Sequence, residues 1–239
     1  MLKKINSDNF DKVLNYRSIW ISDFHLGTRG CQSELLLEFI KHTQSEKLYL
    51  VGDIIDGWAL KNTWYWPQSH NDVVQKILRK ARHGTKVYYL SGNHDEVMRG
   101  FIPVNFGGVS ILNQAIHETI DKKKYLVVHG DQFDGIIQCA KWLAMLGSIT
   151  YDFLIYFNRY INFFRKKLGY EYWSLSNYLK FTVKNAVKFV SEYGDWVESC
   201  TALVEHFDGK LELINWTEKR KELFIETIDQ NLENFKKAS

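Results

Sequence analysis

The chain has 239 residues, of which 45% are hydrophobic and 25% charged, enough to bury the core of one globular domain. A formal net charge of only +3 gives no strong overall field for nucleic acid. The cysteines, Cys31, Cys139 and Cys200, are too scattered for a disulfide framework or a zinc site. The sequence shows neither a signal peptide nor an apolar run long enough to span a bilayer, so we expect a cytoplasmic protein.

The first half of the chain alternates strand and helix patterns. A polar arm is expected up to about residue 17. Short β-branched and aromatic runs then predict buried strands at 18–22, 47–51, 86–91 and 124–128. Apolar stripes predict helices at 32–43 and 69–83, the second of them capped by Gly84. This βαβ series predicts a sheet that is at least partly parallel, with shorter strands at 109–112 and 115–119.

The second half begins with a segment rich in aromatic and cationic residues, at about 135–193, which predicts two or three helices forming a cap. A self-packed helical hairpin is the alternative for the same segment. Residues 195–205 alternate as a strand does, and Asp208-Gly209 predicts a hairpin turn into 210–214. We expect one domain over 18–216, followed by an amphipathic helix at 217–239 that packs through Leu223, Ile225, Ile228 and Leu232.

Four predicted strands end in residues that can bind metal. The motifs are Asp23-Phe24-His25, Gly52-Asp53-Ile54-Ile55-Asp56, Gly92-Asn93-His94-Asp95 and His129-Gly130-Asp131. Asp and Asn also form turns after strands, which is the simpler interpretation of any one motif. Four in succession instead favour a shared metal centre, because the carboxyl ends of strands in an open α/β sheet build sites together. Carboxylate, amide and imidazole groups suit divalent ions such as Mn²⁺.

In this order the motifs resemble D-x-H, G-D-x-x-D, G-N-H-[DE] and the later H of the calcineurin-like metallophosphoesterases. The ribbon 194–205 resembles the branch related to UDP-2,3-diacylglucosamine diphosphatases, and the resemblance extends from about Ser18 to about Leu213. It implies an α/β fold: a metallophosphoesterase-type βαβ sandwich with mixed sheets and an inserted helical cap. It also implies two divalent ions, with Mn²⁺ as the expected metal.

The resemblance also implies a role for each residue. The first ion would take Asp23, His25 and Asp53. The second would take Asp53, Asn93 and His129, so that Asp53 bridges the two. His94 would protonate the leaving oxygen or stabilise phosphoryl charge, and Asp56 or Asp95 would orient it. The implied reaction is attack of a metal-generated hydroxide on phosphorus.

One motif of the family, a terminal G-H-x-H, has no counterpart in this chain. The predicted helix ending near Tyr193 runs directly into Gly194-Asp195-Trp196, and His206 lies past the ribbon, where we do not expect it to substitute. Each ion would therefore be one imidazole short, which predicts weaker metal binding.

Three function classes are consistent with these motifs. The first is a hydrolase of a phosphodiester or pyrophosphate bond. Its substrate would be UDP-2,3-diacylglucosamine or a related nucleotide-linked lipid of lipid A biosynthesis, with the cap touching the inner membrane face. The second is a catalytically impaired family member that acts as a ligand-binding protein. The third and weakest is a nucleotide or nucleic-acid phosphodiesterase, and no nucleic-acid partner is expected because basic patches interleaved with stacking residues are missing.

Overall fold

The structure is a computed structural model that describes residues 12–133 and 196–238, with side chains described for 12–132 and 196–229. The chain divides into two units, Met1–His129 with Tyr193–Ser239, and Gly130–Glu192. Of the second unit, only the short 3₁₀ helix Gly130–Phe133 is described. The predicted cap at 135–193, the arm up to residue 11 and the junction at Tyr193-Gly194 lie outside the described residues. Every strand of the described part belongs to the first unit.

Nine strands and four α-helices are described. The strands are β1 (Leu14–Ile21), β2 (Thr43–Val51), β3 (Lys86–Leu90), β4 (Val104–Phe106), β5 (Val109–Leu112), β6 (Ala115–Glu118), β7 (Lys124–Val127), β8 (Thr201–Glu205) and β9 (Leu211–Asn215). The helices are α1 (Ser33–His42), α2 (Gly57–Asn62), α3 (Gln68–Arg82) and α4 (Trp216–Ala238), and a 3₁₀ helix covers Glu96–Phe101. No helix in this described part of the chain is long and apolar enough to cross a membrane.

Seven strands form one mixed sheet in the order β4-β5-β3-β2-β1-β8-β9. Strands β1, β2, β3 and β5 run parallel, as the βαβ pattern predicts, whereas β4, β8 and β9 each pair antiparallel with a neighbour. Strands β6 and β7 form a separate antiparallel pair. This mixed α/β architecture confirms the expected fold class. It also brings the carboxyl ends of β1, β2 and β3 to one edge.

The central strands of the large sheet are buried on both faces. Alternate residues of β1 to β3, such as Ile19 and Leu48, form one core with Leu36 of α1 and Val73 of α3. The intervening residues, including Trp20, form a second cluster with Ala115 of β6 and Val127 of β7. A strand buried on both sides has a continuous apolar run, which is why these segments lacked a clean alternation.

Several predictions about the elements are wrong. Residues 14–17 belong to β1 rather than to a polar arm, and residues 196–199 form turns and a bend before β8 begins. In α4, Leu223 is buried as expected, but Ile225 and Ile228 are exposed, and the side chain of Leu232 lies outside the described set. The helix begins at Trp216 and packs through that residue with Leu223 and Phe224. These three share one face at the helical period of 3.6 residues, whereas Ile225 and Ile228 fall outside that face.

Candidate metal centre

The loops that follow β1, β2 and β3 are held together by backbone hydrogen bonds. The amide of Asp23 donates to the carbonyl of Gly52 over 3.2 Å, and that of His25 donates to Asp53 over 2.9 Å. The amide of Gly57 donates to the carbonyl of His94 over 3.0 Å. These bonds continue the order of the parallel strands beyond their ends, so the three motifs approach one another as predicted.

Three of the predicted ligands have a left-handed backbone, which non-glycine residues seldom adopt. The φ angles are 53° for Asp23, 46° for His25 and 53° for Asp53. Such conformations each cost on the order of 1–3 kcal/mol and persist where the surroundings impose them, often at functional sites. Backbone strain therefore occurs at three of the residues that the sequence predicts as metal ligands.

Two motif glycines make room for those side chains. A Cβ at Gly52, whose φ is +71°, would lie 2.2 Å from Cγ of His129. A Cβ at Gly92 would lie 2.3 Å from Oδ1 of Asp53. Because real contacts of a Cβ are never this short, glycine is required in both motifs for the neighbouring ligand to take its place.

Asp53 lies at the middle of the centre. Its Oδ2 is 3.8 Å from Nε2 of His25, 3.9 Å from Nε2 of His129 and 4.0 Å from Nε2 of His94. On the far side, Nε2 of His129 lies 3.5 Å from Oδ1 of Asp23. The three imidazole nitrogens therefore face Oδ2 of Asp53 across gaps too wide for direct hydrogen bonds.

Asp56 holds the two imidazoles from behind. Its Oδ2 lies 3.1 Å from Nδ1 of His25 and 3.1 Å from Nδ1 of His94. Its Oδ1 accepts a hydrogen bond from the amide of Ala59 over 2.7 Å, so Asp56 is also the N-cap of α2. One carboxylate thus hydrogen-bonds to His25 and lies within ion-pair distance of His94, and the two rings meet edge to face with centroids 4.7 Å apart.

The carboxylates differ in their pKa. Burial raises the pKa of Asp53, and the amide of His94 and the three imidazoles only partly counteract it. Burial acts the same way on Asp23, but hydrogen bonds from His129 and Ser22 outweigh it and lower the pKa. Burial is also outweighed at Asp56, by the Ala59 amide and both imidazoles, so its pKa is lowered. Asp53 is therefore the carboxylate whose charge the protein leaves least compensated.

The donor set fits divalent ions. The ligand atoms form two groups, His25 with Asp56 and His94, and Asp23 with Asp53 and His129, each with all its atoms within 4.8 Å of one another. Ligands about 2.0–2.2 Å from a common ion and arranged tetrahedrally lie about 3.4 Å apart, close to the separations of 3.5–4.0 Å seen here. Within the described part of the chain, Oδ2 of Asp53 accepts no hydrogen bond, which leaves it available to a cation.

The grouping differs from the one that the resemblance implied. Asp23 was expected with His25, but the geometry places it beside His129. His94 was expected to stay off the metal, but its Nε2 points towards Asp53 as that of His25 does. Asn93 lies half-buried between Gly92 and His94 in the same loop. The structure therefore brings the five predicted ligands to one edge but divides them differently.

Asp95 has a different environment from the one proposed for it. It is 1% exposed, its Oδ1 accepts from the amide of Gly92 over 2.5 Å, and its Oδ2 accepts from the amide of Ile54 over 3.0 Å and from the hydroxyl of Tyr89. Burial and the nearby Asp95 charge raise the pKa of Tyr89 well above its ordinary value. Asp95 thus holds the loops in place, and of the two candidates for orienting His94 only Asp56 is in contact with it.

Two more residues, His206 and Trp58, are considered in relation to the site. His206 lies at the start of the β8–β9 turn, where it contacts Glu212 at 2.8 Å and the ring of Tyr16, near the amino end of β1 and away from the centre. The expectation that it does not replace a lost ligand agrees with this position. Sequence reasoning missed Trp58, whose ring lies 4.3 Å from that of His94, centroid to centroid. Its only signal was the run of tryptophans from 58 to 66.

Comparison with known proteins agrees with these motifs. The profile of the calcineurin-like phosphoesterase family matches residues 16–195. Similar proteins include the UDP-2,3-diacylglucosamine hydrolase of Histophilus somni (strain 129Pt), 32% identical over 126 residues, which are 48% of this chain and 49% of that protein. The hydrolase of that name from Chromohalobacter salexigens is 27% identical over 134 residues, 54% and 52% of the two chains. The chain spans about half the length of these two relatives.

Among solved structures, the Pseudomonas putida nuclease MPE is 19% identical, and the match covers 41% of this chain and 48% of the nuclease. The TM-score of 0.27 is too low to support an argument about fold. The family profile instead covers more than half of the chain and includes every residue of the centre. The chain therefore belongs to the calcineurin-like phosphoesterase family.

Proposed function

We propose that the chain is a metal-dependent phosphoesterase that hydrolyses a phosphodiester or pyrophosphate bond. The observation that carries the proposal is the surrounding of Oδ2 of Asp53 by three imidazole Nε2 atoms at 3.8–4.0 Å. A buried carboxylate that faces imidazoles without hydrogen-bonding to them suits divalent ions and has little value as a purely structural arrangement.

Two ion positions are proposed around Asp53, the first of them at the group of Asp23, Asp53 and His129. Asp23, Asp53 and His129 would hold one ion. His25 would hold the other, with Asp53 shared between them and Asn93 adding a neutral oxygen. Ions bound here, for which Mn²⁺ is our choice, would polarise phosphoryl oxygens and lower the pKa of water.

His94 is proposed as the proton donor to the leaving oxygen. Its Nδ1 lies 3.1 Å from Oδ2 of Asp56, so the carboxylate is placed behind the ring. Its Nε2 faces the centre and can then carry the proton that the leaving oxygen takes up. Asp56 acts through this ring as a positioning residue.

The proposed substrate is a nucleotide-linked lipid such as UDP-2,3-diacylglucosamine, taken up at a membrane surface by a cytoplasmic protein. The similarity to proteins named as hydrolases of that compound supports this choice. Beside His94, the exposed ring of Trp58 offers apolar surface to a large substrate. The cap proposed to bind the acyl chains falls in 135–193, outside the described residues.

A second candidate is a family member that binds such a ligand without turning it over. The sequence favours it in one respect, because no histidine occurs between His129 and His206. The imidazoles at the centre are therefore His25, His94 and His129, and a metal site with fewer ligands binds its ion more weakly.

The test is hydrolysis of bis(p-nitrophenyl) phosphate and of UDP-2,3-diacylglucosamine while Mn²⁺ is raised from micromolar to millimolar concentrations. Activity should rise across the whole range, and Asp53→Ala should reduce it to background while the circular dichroism spectrum is retained. Asp229→Ala removes an exposed carboxylate on α4 and serves as the control. A large residual activity in Asp53→Ala would contradict the proposed centre. Bound Mn²⁺ without turnover at any concentration would favour the second candidate.

A further inference from the structure

A second cavity lies at the edge of the sheet opposite the metal centre. Its volume is about 700 Å³, and it is bordered by the amino ends of β1, β2 and β3 and by the last turns of α1 and α3. The metal centre lies beyond the carboxyl ends of the same strands, so no residue belongs to both.

Cations dominate the lining of this cavity. Lys76, Arg79, Lys80 and His83 follow one another at helical spacing along α3, and Lys41 comes from the last turn of α1. Among the described residues of the lining, Glu46 has the only carboxylate.

Within the described part of the chain, none of Lys41, Lys76 and Arg79 forms an ion pair with a carboxylate. With Lys80 added, four cationic side chains share the cavity with one carboxylate.

Burial and repulsion between neighbouring cations both disfavour the charged form of Lys76 and Lys80 in this cavity. Burial, together with the charge of Lys76, lowers the pKa of Lys80 to about 8. Burial also lowers the pKa of Lys76, with Arg79 and Lys41 adding repulsion. Lys80 donates a hydrogen bond to the carbonyl of Thr43, which gives that one cation a structural partner.

Helix ends account for only part of this charge. Each helix carboxyl end has a partial charge of about −0.5, and cations commonly lie there for that reason. Two such ends, those of α1 and α3, offset about one of the four positive charges. The remainder suits an anion supplied from outside the chain.

We propose that this cavity binds a phosphate-bearing small molecule at a site separate from the metal centre. Its volume falls within the range of about 300–1,000 Å³ typical of small-molecule sites. Arginine and lysine together provide bidentate and point-charge contacts to phosphoryl oxygens. Because it lies at the opposite edge of the sheet, an occupant can act on the enzyme without competing with a substrate.

The neighbouring surface indicates what the phosphate is attached to. Beside this cavity lies a mainly apolar hollow that shares Arg79 and His83 with it and is also lined by Leu78 and by Phe106 of β4. A ligand with a phosphoryl group beside an apolar or aromatic group would fill both hollows. Soluble nucleotides and phospholipid headgroups with short chains have this chemistry in common.

Calorimetric titration of the full chain in EDTA and low salt tests the proposal, with pyrophosphate, ADP and dihexanoyl phosphatidate as probes. We expect saturable 1:1 binding, with ADP the tightest if the source is a nucleotide and phosphatidate the tightest if it is a lipid. Lys76→Gln/Arg79→Gln should weaken binding at least tenfold, and Lys41→Gln, on the other helix, should weaken it independently.

The control, Lys124→Gln/Lys221→Gln, removes the same number of charges from exposed positions elsewhere. It should change the affinity less than twofold. Equal losses in both double variants would reduce the effect to overall charge and overturn the proposal, as would the absence of binding in the unmodified chain. Binding that disappears in Asp53→Ala would place the anion at the metal centre and would also overturn it.

Discussion

Asp56→Asn should weaken metal binding without unfolding the protein. The carboxylate of Asp56 lies 3.1 Å from the Nδ1 atoms of both His25 and His94 while it caps α2 through Ala59. An asparagine keeps the size and the cap, since its Oδ1 can still accept from the Ala59 amide. Its amide group, however, would face the two imidazoles with hydrogens in place of a lone pair.

That reversal changes the tautomer of His25, the one of the two rings that is proposed to bind metal. Against a carboxylate, Nδ1 of His25 carries the proton and Nε2 keeps the lone pair that a metal requires. Against an amide donor, Nδ1 must accept, so the proton moves to Nε2. Loss of the partner of one metal-binding histidine typically costs about 10- to 100-fold in affinity or activity, or about 1.4–2.7 kcal/mol. Because Asp56 contacts one metal-binding histidine, His25, we expect Mn²⁺ affinity to fall within this range. Because Asp56 also contacts the proposed proton donor, His94, we expect activity to fall further than affinity.

The assay is Mn²⁺ affinity measured by calorimetry, together with phosphodiester hydrolysis at each Mn²⁺ concentration. Asp229→Asn makes the same substitution at an exposed position of α4 and should resemble the unmodified protein. Unchanged affinity in Asp56→Asn, with the fold intact by circular dichroism, would refute the reasoning. A large fall in melting temperature would instead show that Asp56 matters mainly as a helix cap.

Three further predictions concern other residues. Gly52→Ala should lower Mn²⁺ affinity at least tenfold because its methyl group would lie 2.2 Å from the ring of His129, whereas Gly84→Ala, with positive φ but open space, should not. Glu205→Gln should lower the free energy of unfolding in urea by about 3–5 kcal/mol, because it removes the carboxylate whose two oxygens accept from Nη1 of the mostly buried Arg17 at 2.6 and 2.7 Å. Glu226→Gln, in an exposed pair with Lys12, should change it little. The pKa of Lys80 is lowered to about 8, so the folded state releases this proton at a lower pH than the unfolded state does. The free energy of unfolding should therefore rise between about pH 8 and pH 10.5. A Lys80→Met variant measured by urea denaturation should lack that rise.

The convergence of the motifs was predictable because it depends on local patterns. Apolar runs that alternate with amphipathic helices force parallel strands, and parallel strands bring the residues after them to one edge. Asp23, His25 and Asp53 could therefore be placed together from the amino-acid sequence. His129 follows β7, which belongs to the separate antiparallel pair, so its place beside them was implied by the order of the family motifs and not by the parallel strands. The division of the ligands into groups could not, because it depends on side-chain directions that follow from left-handed backbone at three of them.

The role of Asp56 shows where sequence reasoning stops. Its two imidazole contacts depend on α2, a helix of only six residues without a buried side chain, so no apolar period announces it. The strand predicted over residues 195–205 was wrong at residues 196–199 for the opposite reason. Residues 196–199 alternate in polarity, but Trp196 donates its amide to Ser22 and buries its ring fully, which ends the strand pattern in a turn. In both places tertiary contacts override the local signal.

The positive φ angles of Asp23, His25 and Asp53 have a consequence for directed evolution. A glycine at any of them would relieve backbone strain of about 1–2 kcal/mol and, at Asp53, would also remove a buried charge, against an entropic loss of about 0.5–1 kcal/mol. A library screened for thermal tolerance alone would thus tend to accumulate substitutions at these positions first. Resistance to heat and retention of the ligands are opposing goals in this protein, so a useful screen has to reward both at once.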